Sequence, residues 1–357
     1  LDFWLYVALP IFIGAFGIAG GEVVRRLMML KKKGEPNQIS PLQFCLVRFW
    51  SATAIYLAVY LVTHWLVGGS FIPEIQPAMW NGVALTALAN AIMQWLGPVT
   101  ARLPKADVNL TSPLTAMTPG LVTGFAILLG EYPGVWGVAG IGLTMVGSWV
   151  LLFKEKPQHW TEYFGPVVKL TLLFPWANMS EDDRQTSKVV RLALTSATLG
   201  VFGLVGEALF VRRGGSFKAL VLGATAVSGM MAIGYNAIYI LKPDTKDSIW
   251  TALRRRPELP GFGILPTMLV LGVFTGVMWN LNMLTVLTAF AYTYVANVGA
   301  LKRISIPIAL LLGLWLFREQ YFKQRMLATA IIIAGAVLIS FDGLPARLSE
   351  RIVGLGF

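Results

Sequence analysis

Residues 106–153 and 294–341 are written to one plan. The later stretch reads YVANVGALKRISIPIALLLGLWLFREQYFKQRMLATAIIIAGAVLISF. At a constant lag of 188 residues, with no gap, Asn109 meets Asn297, Pro119 meets Pro307, Glu131 meets Glu319, Gly147 meets Gly335 and Phe153 meets Phe341. Each copy has an apolar segment of helical length with a proline inside it and a glutamate at its end, followed by a second apolar segment that carries the glycine. The opening segments echo as well: GAFGIAG at 14–20 and GVFGLVG at 200–206 stand 186 residues apart. A long fixed lag means two related halves, so whatever the first half folds into, the second must fold into as well.

Composition decides what kind of halves these are. Hydrophobic residues make up 56% of the chain and charged residues 13%, too few to cover the surfaces of two soluble domains. Apolar segments recur at the length of roughly 20 residues that a bilayer-spanning helix needs. The short alternating strands of a transmembrane barrel are absent from the pattern. The expectation is therefore an all-α polytopic membrane protein with ten spans. They are placed at 3–24, 44–67, 79–100, 108–130, 135–153, 192–211, 217–241, 262–287, 294–317 and 326–341. Residues 1–153 form one five-helix repeat and residues 192–357 the other. The polar stretch 154–191, with its acidic run Glu181-Asp182-Asp183, is read as a linker. Five spans per repeat is an odd number, so the second repeat must lie upside down relative to the first, as in many secondary transporters.

The same composition excludes several chemistries. Cys45 is the single cysteine, so no internal disulfide forms. His64 and His159 are the only histidines, which argues against a zinc hydrolase; no metal and no cofactor is expected. The net charge of +11 sits mostly in loops, where it sets membrane orientation and does not imply nucleic acid. Residues 3–24 lack a basic n-region and read as a spanning helix, not a signal peptide.

With these residues in view, the chain resembles the drug/metabolite transporter superfamily in its EamA-like branch. The resemblance covers nearly the whole chain. It rests on the five-plus-five plan, on Pro119 with Leu129-Gly130-Glu131 closing span 4, and on Pro307 with Phe317-Arg318-Glu319 closing span 9. LVRFW, at 46–50, also resembles the family, which often has an arginine there. The resemblance implies a ten-helix fold, a central solute cavity and alternating access, with no single substrate.

Several residues could carry function, and each has two readings. Pro119 and Pro307 remove a backbone donor inside a helix and free the carbonyls of Thr115 and Arg303; the result is a packing kink, or a carbonyl facing a solute cavity. Lys302 and Arg303 fall about 12 Å into span 9 at 1.5 Å per residue, near mid-depth of the bilayer. A cation there costs at least ~2.5–3.5 kcal/mol unless paired or wet. Either it pairs structurally, with Glu22 or Glu207, or it attracts an anionic solute group. Glu22 and Glu207, each close to an arginine pair, are interfacial ion-pair partners or proton-coupling carboxylates. Gln94, Trp279, Asn280 and Asn282 on spans 3 and 8 either bond neighbouring helices or contact solute.

The function expected from this is secondary transport of a small organic metabolite, anionic or zwitterionic, with lipid as surroundings and a proton or sodium ion as possible coupling partner. The chain is then a multi-pass protein of the plasma or inner membrane, and no enzyme. An integral-membrane lipid-modifying enzyme and a non-transporting scaffold or receptor are the rival classes. Orientation draws two expectations. Lysines and arginines crowd the odd loops, and only Arg212, Arg213, Lys218, Arg347 and Arg351 lie in the even loops and the C-terminal segment. The positive-inside rule then puts both termini outside the cytoplasm, whereas the family resemblance implies cytoplasmic termini.

Overall fold

The structure, a computed structural model, describes residues 4–29, 39–101, 118–128, 130–150, 180–241, 248–254, 256, 258–259, 263–264, 267–309, 312 and 322–342. Glu319, the Phe317-Arg318-Glu319 closure, Thr115 and the expected linker up to residue 179 lie outside the described residues.

The described chain is almost entirely helical. A π-helical turn, Trp4–Ala8, leads into α1 (Leu9–Met29). It is followed by α2 (Pro41–Val67), α3 (Pro77–Ala101), α4 (Thr118–Leu128) and α5 (Val135–Val150), then α6 (Glu181–Gly214), α7 (Phe217–Leu241), α8 (Met268–Phe290), α9 (Val295–Leu301) and α10 (Phe322–Ser340). A short helix, Ile249–Arg254, and a small antiparallel pair, Glu258–Leu259 with Gly263–Ile264, fill the connection before α8. Among the described residues five helices are long and apolar enough to cross a membrane: Leu5–Arg25, Pro41–Val67, Ser187–Gly214, Phe217–Leu241 and Met268–Phe290. The chain is thus built as a multi-pass integral membrane protein.

The distribution of side chains agrees with that. On α8, Leu269, Val270, Val273, Phe274 and Val277 are exposed, while Thr275, Asn280 and Asn282 are buried. The exposed positions recur three and four apart, which is one face of a helix. An apolar face turned outward, with the polar side chains of the helix turned inward, suits lipid as the surrounding solvent. Helix 2 follows the same rule, with Leu57, Leu61, Trp65 and Leu66 outside and Tyr56, Tyr60 and Arg48 inside.

Local sequence explains most of the helix ends. Ser40 and Gln43 form a capping box at the start of α2: the Gln43 N–H donates to Ser40 Oγ at 3.0 Å and the Ser40 N–H to Gln43 Oε1 at 3.1 Å. This starts α2 at Pro41, three residues before the expected boundary. The expected sixth span gains its first turns from the acidic run. Glu181 and its neighbours open α6, because acidic residues favour the positive end of the helix dipole. Helix 9 is broken where a continuous span was expected. After Leu301 the chain tightens into a 3-10 turn, Lys302–Ile304, and is helical again from 305 to 309. Pro307 has no N–H to offer the Arg303 carbonyl. The Ser305 backbone N–H turns to the Lys302 and Arg303 carbonyls, and its hydroxyl donates to the Lys302 carbonyl at 2.7 Å. Pro119, expected in mid-helix, is the second residue of the described α4 and is buried.

Helices pack in a definite set of pairs. The most extensive are α3 with α6, α5 with α10 and α1 with α8; α2 lies along α7, and α4 against α9. Glycines set the approach. A Cβ built on Gly17 would stand 2.6 Å from the Met278 carbonyl oxygen, and one on Gly206 2.8 Å from the Thr86 nitrogen. Those are backbone contacts that no side chain permits, which is why the glycine-spaced opening of each half faces a partner helix. Phe49, Tyr56, Phe210 and Phe290 are among the largest fully buried side chains and belong to one continuous apolar core.

Candidate functional site

Two polar clusters interrupt this apolar interior, and α3 connects them. Asn90 and Gln94 lie four residues apart on α3, one turn or about 6 Å along its axis. They therefore serve the same face of the helix at successive levels.

The first cluster is centred on Glu207 of α6, which is 4% exposed. Lys302 Nζ, in the 3-10 turn, lies 3.5 Å from Glu207 Oε2. Asn90 Nδ2 donates to Glu207 Oε1 at 3.5 Å. Tyr56 of α2 is fully buried and donates its hydroxyl proton to the Asn280 carbonyl at 3.2 Å. A carboxylate with one ammonium and one amide for company is neutralised, but only just. Breaking a buried pair by removing one partner leaves an uncompensated charge.

The second cluster is centred on Arg48 of α2, which is 6% exposed. Its Nη1 donates to Gln94 Oε1 at 3.0 Å. Its Cζ lies 5.1 Å from the ring centroid of Trp279, 5.6 Å from that of Phe49 and 5.8 Å from that of Phe44. Phe49 in turn meets Trp279 edge-on at 5.2 Å and stacks on Tyr235 at 5.6 Å. Tyr235 anchors the group by donating its hydroxyl proton to the Ala91 carbonyl at 2.5 Å.

The remaining sequence candidates fall into place around these centres. Asn280 Nδ2 donates to the Ala52 carbonyl at 3.1 Å and so ties α8 to α2. Asn282 is buried against Gly14 and Gly17 of α1, and its Oδ1 has no hydrogen-bond partner. Glu22 pairs with Arg25 one turn later on α1, where both are partly exposed. Arg303 is half-buried and engaged in an interaction of its own. Of the two carboxylates named as ion-pair partners for the span 9 cations, Glu207 meets Lys302, and Glu22 stays with Arg25.

Three arrangements were not singled out from sequence. Arg48 was noted only in the opening of its span; a lone arginine followed by a long apolar run was the signal that marked it as interior. Glu131, placed by the sequence only at the close of span 4, pairs with Arg212 of α6 and accepts from the Val295 N–H at 2.8 Å, so it ties the end of α4 to the first turn of α9. Lys218 is buried and donates to the Gly68 carbonyl at 3.1 Å and the Ser70 carbonyl at 2.6 Å, with His64 Nδ1 2.8 Å away. No short-range sequence pattern joins residues 64–70 to Lys218.

No protein-family model and no curated protein matches this chain. Among solved structures, one titled only "Crystal structure of protein" superposes with a TM-score of 0.61 at 14% identity, covering 94% of this chain and 98% of that one. At that identity the likeness concerns the fold alone, and it extends over nearly the whole of both chains.

Proposed function

We propose that this chain is a secondary active transporter of the drug/metabolite transporter superfamily, EamA-like in type. It moves a small anionic or zwitterionic organic metabolite across the membrane by alternating access. In this reading ten spans form two inverted five-helix repeats, with helices 1, 3, 4, 6, 8 and 9 around the solute path.

The pairing of helices supports the repeat. Exchanging each helix for the one five places later turns the α1–α8 pair into the α6–α3 pair, and returns α2–α7, α4–α9 and α5–α10 to themselves. Helix direction supports the inversion. Along α5, Gly140 faces Gly335 and Ile339, and Gly147 faces Ala328 and Ile332, so α5 and α10 run antiparallel. Equivalent helices that run antiparallel fit an axis in the membrane plane, and would be parallel for an axis along its normal.

The observation that carries the functional reading is the Glu207–Lys302–Asn90 cluster. Ionisable residues inside a membrane bundle are expensive and mark pathways and relays. Here the three residues come from α6, the broken helix 9 and α3, so both halves contribute, and the cation sits in a turn already loosened by Pro307. Lys302 can exchange Glu207 for a solute anion, and Glu207 is then placed to accept a proton as the coupling carboxylate. A scaffold or receptor has no need of a charged pair beside a broken helix.

The test is solute flux. Purified full-length protein is screened by thermal shift against small metabolites, and each stabilising compound is then followed as radiolabelled counterflow in proteoliposomes. Counterflow of a stabilising anion, lost in Glu207→Gln, is the expected result. A lipid product formed in the same vesicles without counterflow of any stabilising compound would overturn the reading in favour of an enzyme.

A further inference from the structure

Arg48 stands out among the interior charges once the others are paired. Lys302 is neutralised by Glu207. Glu22 and Arg25 are paired with each other. Among the described residues no carboxylate forms an ion pair with Arg48. Its guanidinium keeps one hydrogen bond, to the neutral amide of Gln94, and rests on three aromatic rings. Rings of this kind offer a cation only part of what a carboxylate does.

Unused donors belong to this same pair of neighbouring side chains. Arg48 Nε and Trp279 Nε1 are both buried and have no hydrogen-bond partner. Their side chains are in contact, with Arg48 Cζ 5.1 Å from the Trp279 ring. Orphaned donors in an interior are rare and require an explanation. Nη2 of the same guanidinium looks toward Gly21 of α1, where an added Cβ would stand 3.9 Å away, so a side-chain-free stretch of helix faces it. A buried cation in no ion pair among the described residues, two idle N–H groups of different residues and aromatic walls together describe a seat for a small carboxylate on an apolar body. The Arg48 fork and the indole N–H would both donate to it. A trapped water would satisfy the donors but bring no charge.

We propose that Arg48, Trp279 and Gln94 form the carboxylate-binding seat of this protein: Arg48 supplies the charge, Trp279 a second donor, and Gln94 holds the guanidinium in position. The seat lies one helical turn from the Glu207–Lys302 pair along α3. The inference rests on the transporter reading for why a solute comes to this interior.

Equilibrium binding of radiolabelled benzoate to the full-length protein in detergent tests it. Wild type binds saturably, and excess benzoate competes where benzamide and benzylamine do not. Arg48→Gln abolishes binding and Arg48→Lys retains part of it. Trp279→Phe keeps the ring and removes only the N–H, so the protein stays folded and affinity falls about tenfold, the worth of one hydrogen bond to a charged group. The Lys302→Met/Glu207→Gln double variant, which removes the Lys302 cation, still binds benzoate saturably with altered affinity, whereas Arg48→Gln does not. Absence of saturable binding to wild type would overturn the proposal. So would unchanged affinity in Trp279→Phe, or binding lost in the double variant and kept in Arg48→Gln, which would move the seat to Lys302. Benzoate held at Arg48 in a protein that moves no solute would sink the transporter reading and leave this inference standing.

Discussion

Gly140 of α5 lies against Gly335 of α10, so close that a Cβ on Gly140 would stand 2.5 Å from the Gly335 carbonyl oxygen. At the 188-residue lag Gly140 corresponds to Ala328 and Gly335 to Gly147. The corresponding approach exists: a Cβ on Gly147 would stand 3.0 Å from the Ala328 carbonyl oxygen. One crossing is thus met twice, once from each half.

This makes a prediction about the fold. Gly140→Val and Gly147→Val should each force backbones apart and destabilise by about 1–3 kcal/mol, the usual range for overpacking. Gly142→Val, on the same helix but with nothing within 4 Å of its Cβ, should leave stability unchanged. Thermal unfolding of the purified variants in one detergent checks this. Equal tolerance at all three positions would mean that the α5–α10 crossing is misplaced.

The Lys302–Glu207 pair makes a second prediction. Lys302→Met alone leaves Glu207 buried without its cation, and breaking a buried pair in this way costs about 3–5 kcal/mol. Lys302→Met/Glu207→Gln removes both charges and should recover most of that loss, because Asn90 still has an amide to bond. A double-mutant cycle on unfolding temperature measures the coupling. If the double variant is no more stable than the single one, the two side chains do not share a charge balance.

Lys218 carries the third. Its ammonium holds the Gly68 and Ser70 carbonyls just beyond the C-terminal end of α2, where helix carbonyls run out of partners. Lys218→Met should lower stability by roughly 2–3 kcal/mol, the scale of charge-assisted hydrogen bonds. It should also raise amide hydrogen exchange over residues 64–70 while leaving α8 protected. Exchange that stays slow in that segment would show that the loop is held by other means.

Much of the architecture was legible from the chain alone, for an identifiable reason. The lag and the apolar segments are properties of single residues and their spacing, so α7 falls where expected and α2, α3, α5 and α10 differ by a few residues. Break points depend on partners. Pro307 signals that helix 9 is disturbed, but the 3-10 turn at Lys302–Ile304 also needs Ser305 to take up the freed carbonyls. The start of α6 at Glu181 was hidden because an acidic run serves equally as a solvated linker or as the favoured first turn of a helix. The site divides in the same way. Glu207 could be named as a partner for Lys302 because both are rare charges in apolar spans. Arg48 with Gln94 and Trp279 brings together three separate helices, and nothing in the spacing of positions 48, 94 and 279 says that they meet.

The measurement that bears most directly on alternating access needs no knowledge of the solute. Asn282 is buried between α8 and α1 with an unpartnered Oδ1, inside the proposed path. In a Cys45→Ala background, Asn282→Cys is challenged with a membrane-impermeant thiol reagent from one face of sealed vesicles and, in a parallel sample of fixed orientation, from the other. Slow labelling from each face in turn is predicted, because a site open alternately to the two sides reacts with reagent supplied on either one. A cysteine that reacts from one face only, or from neither, would contradict it.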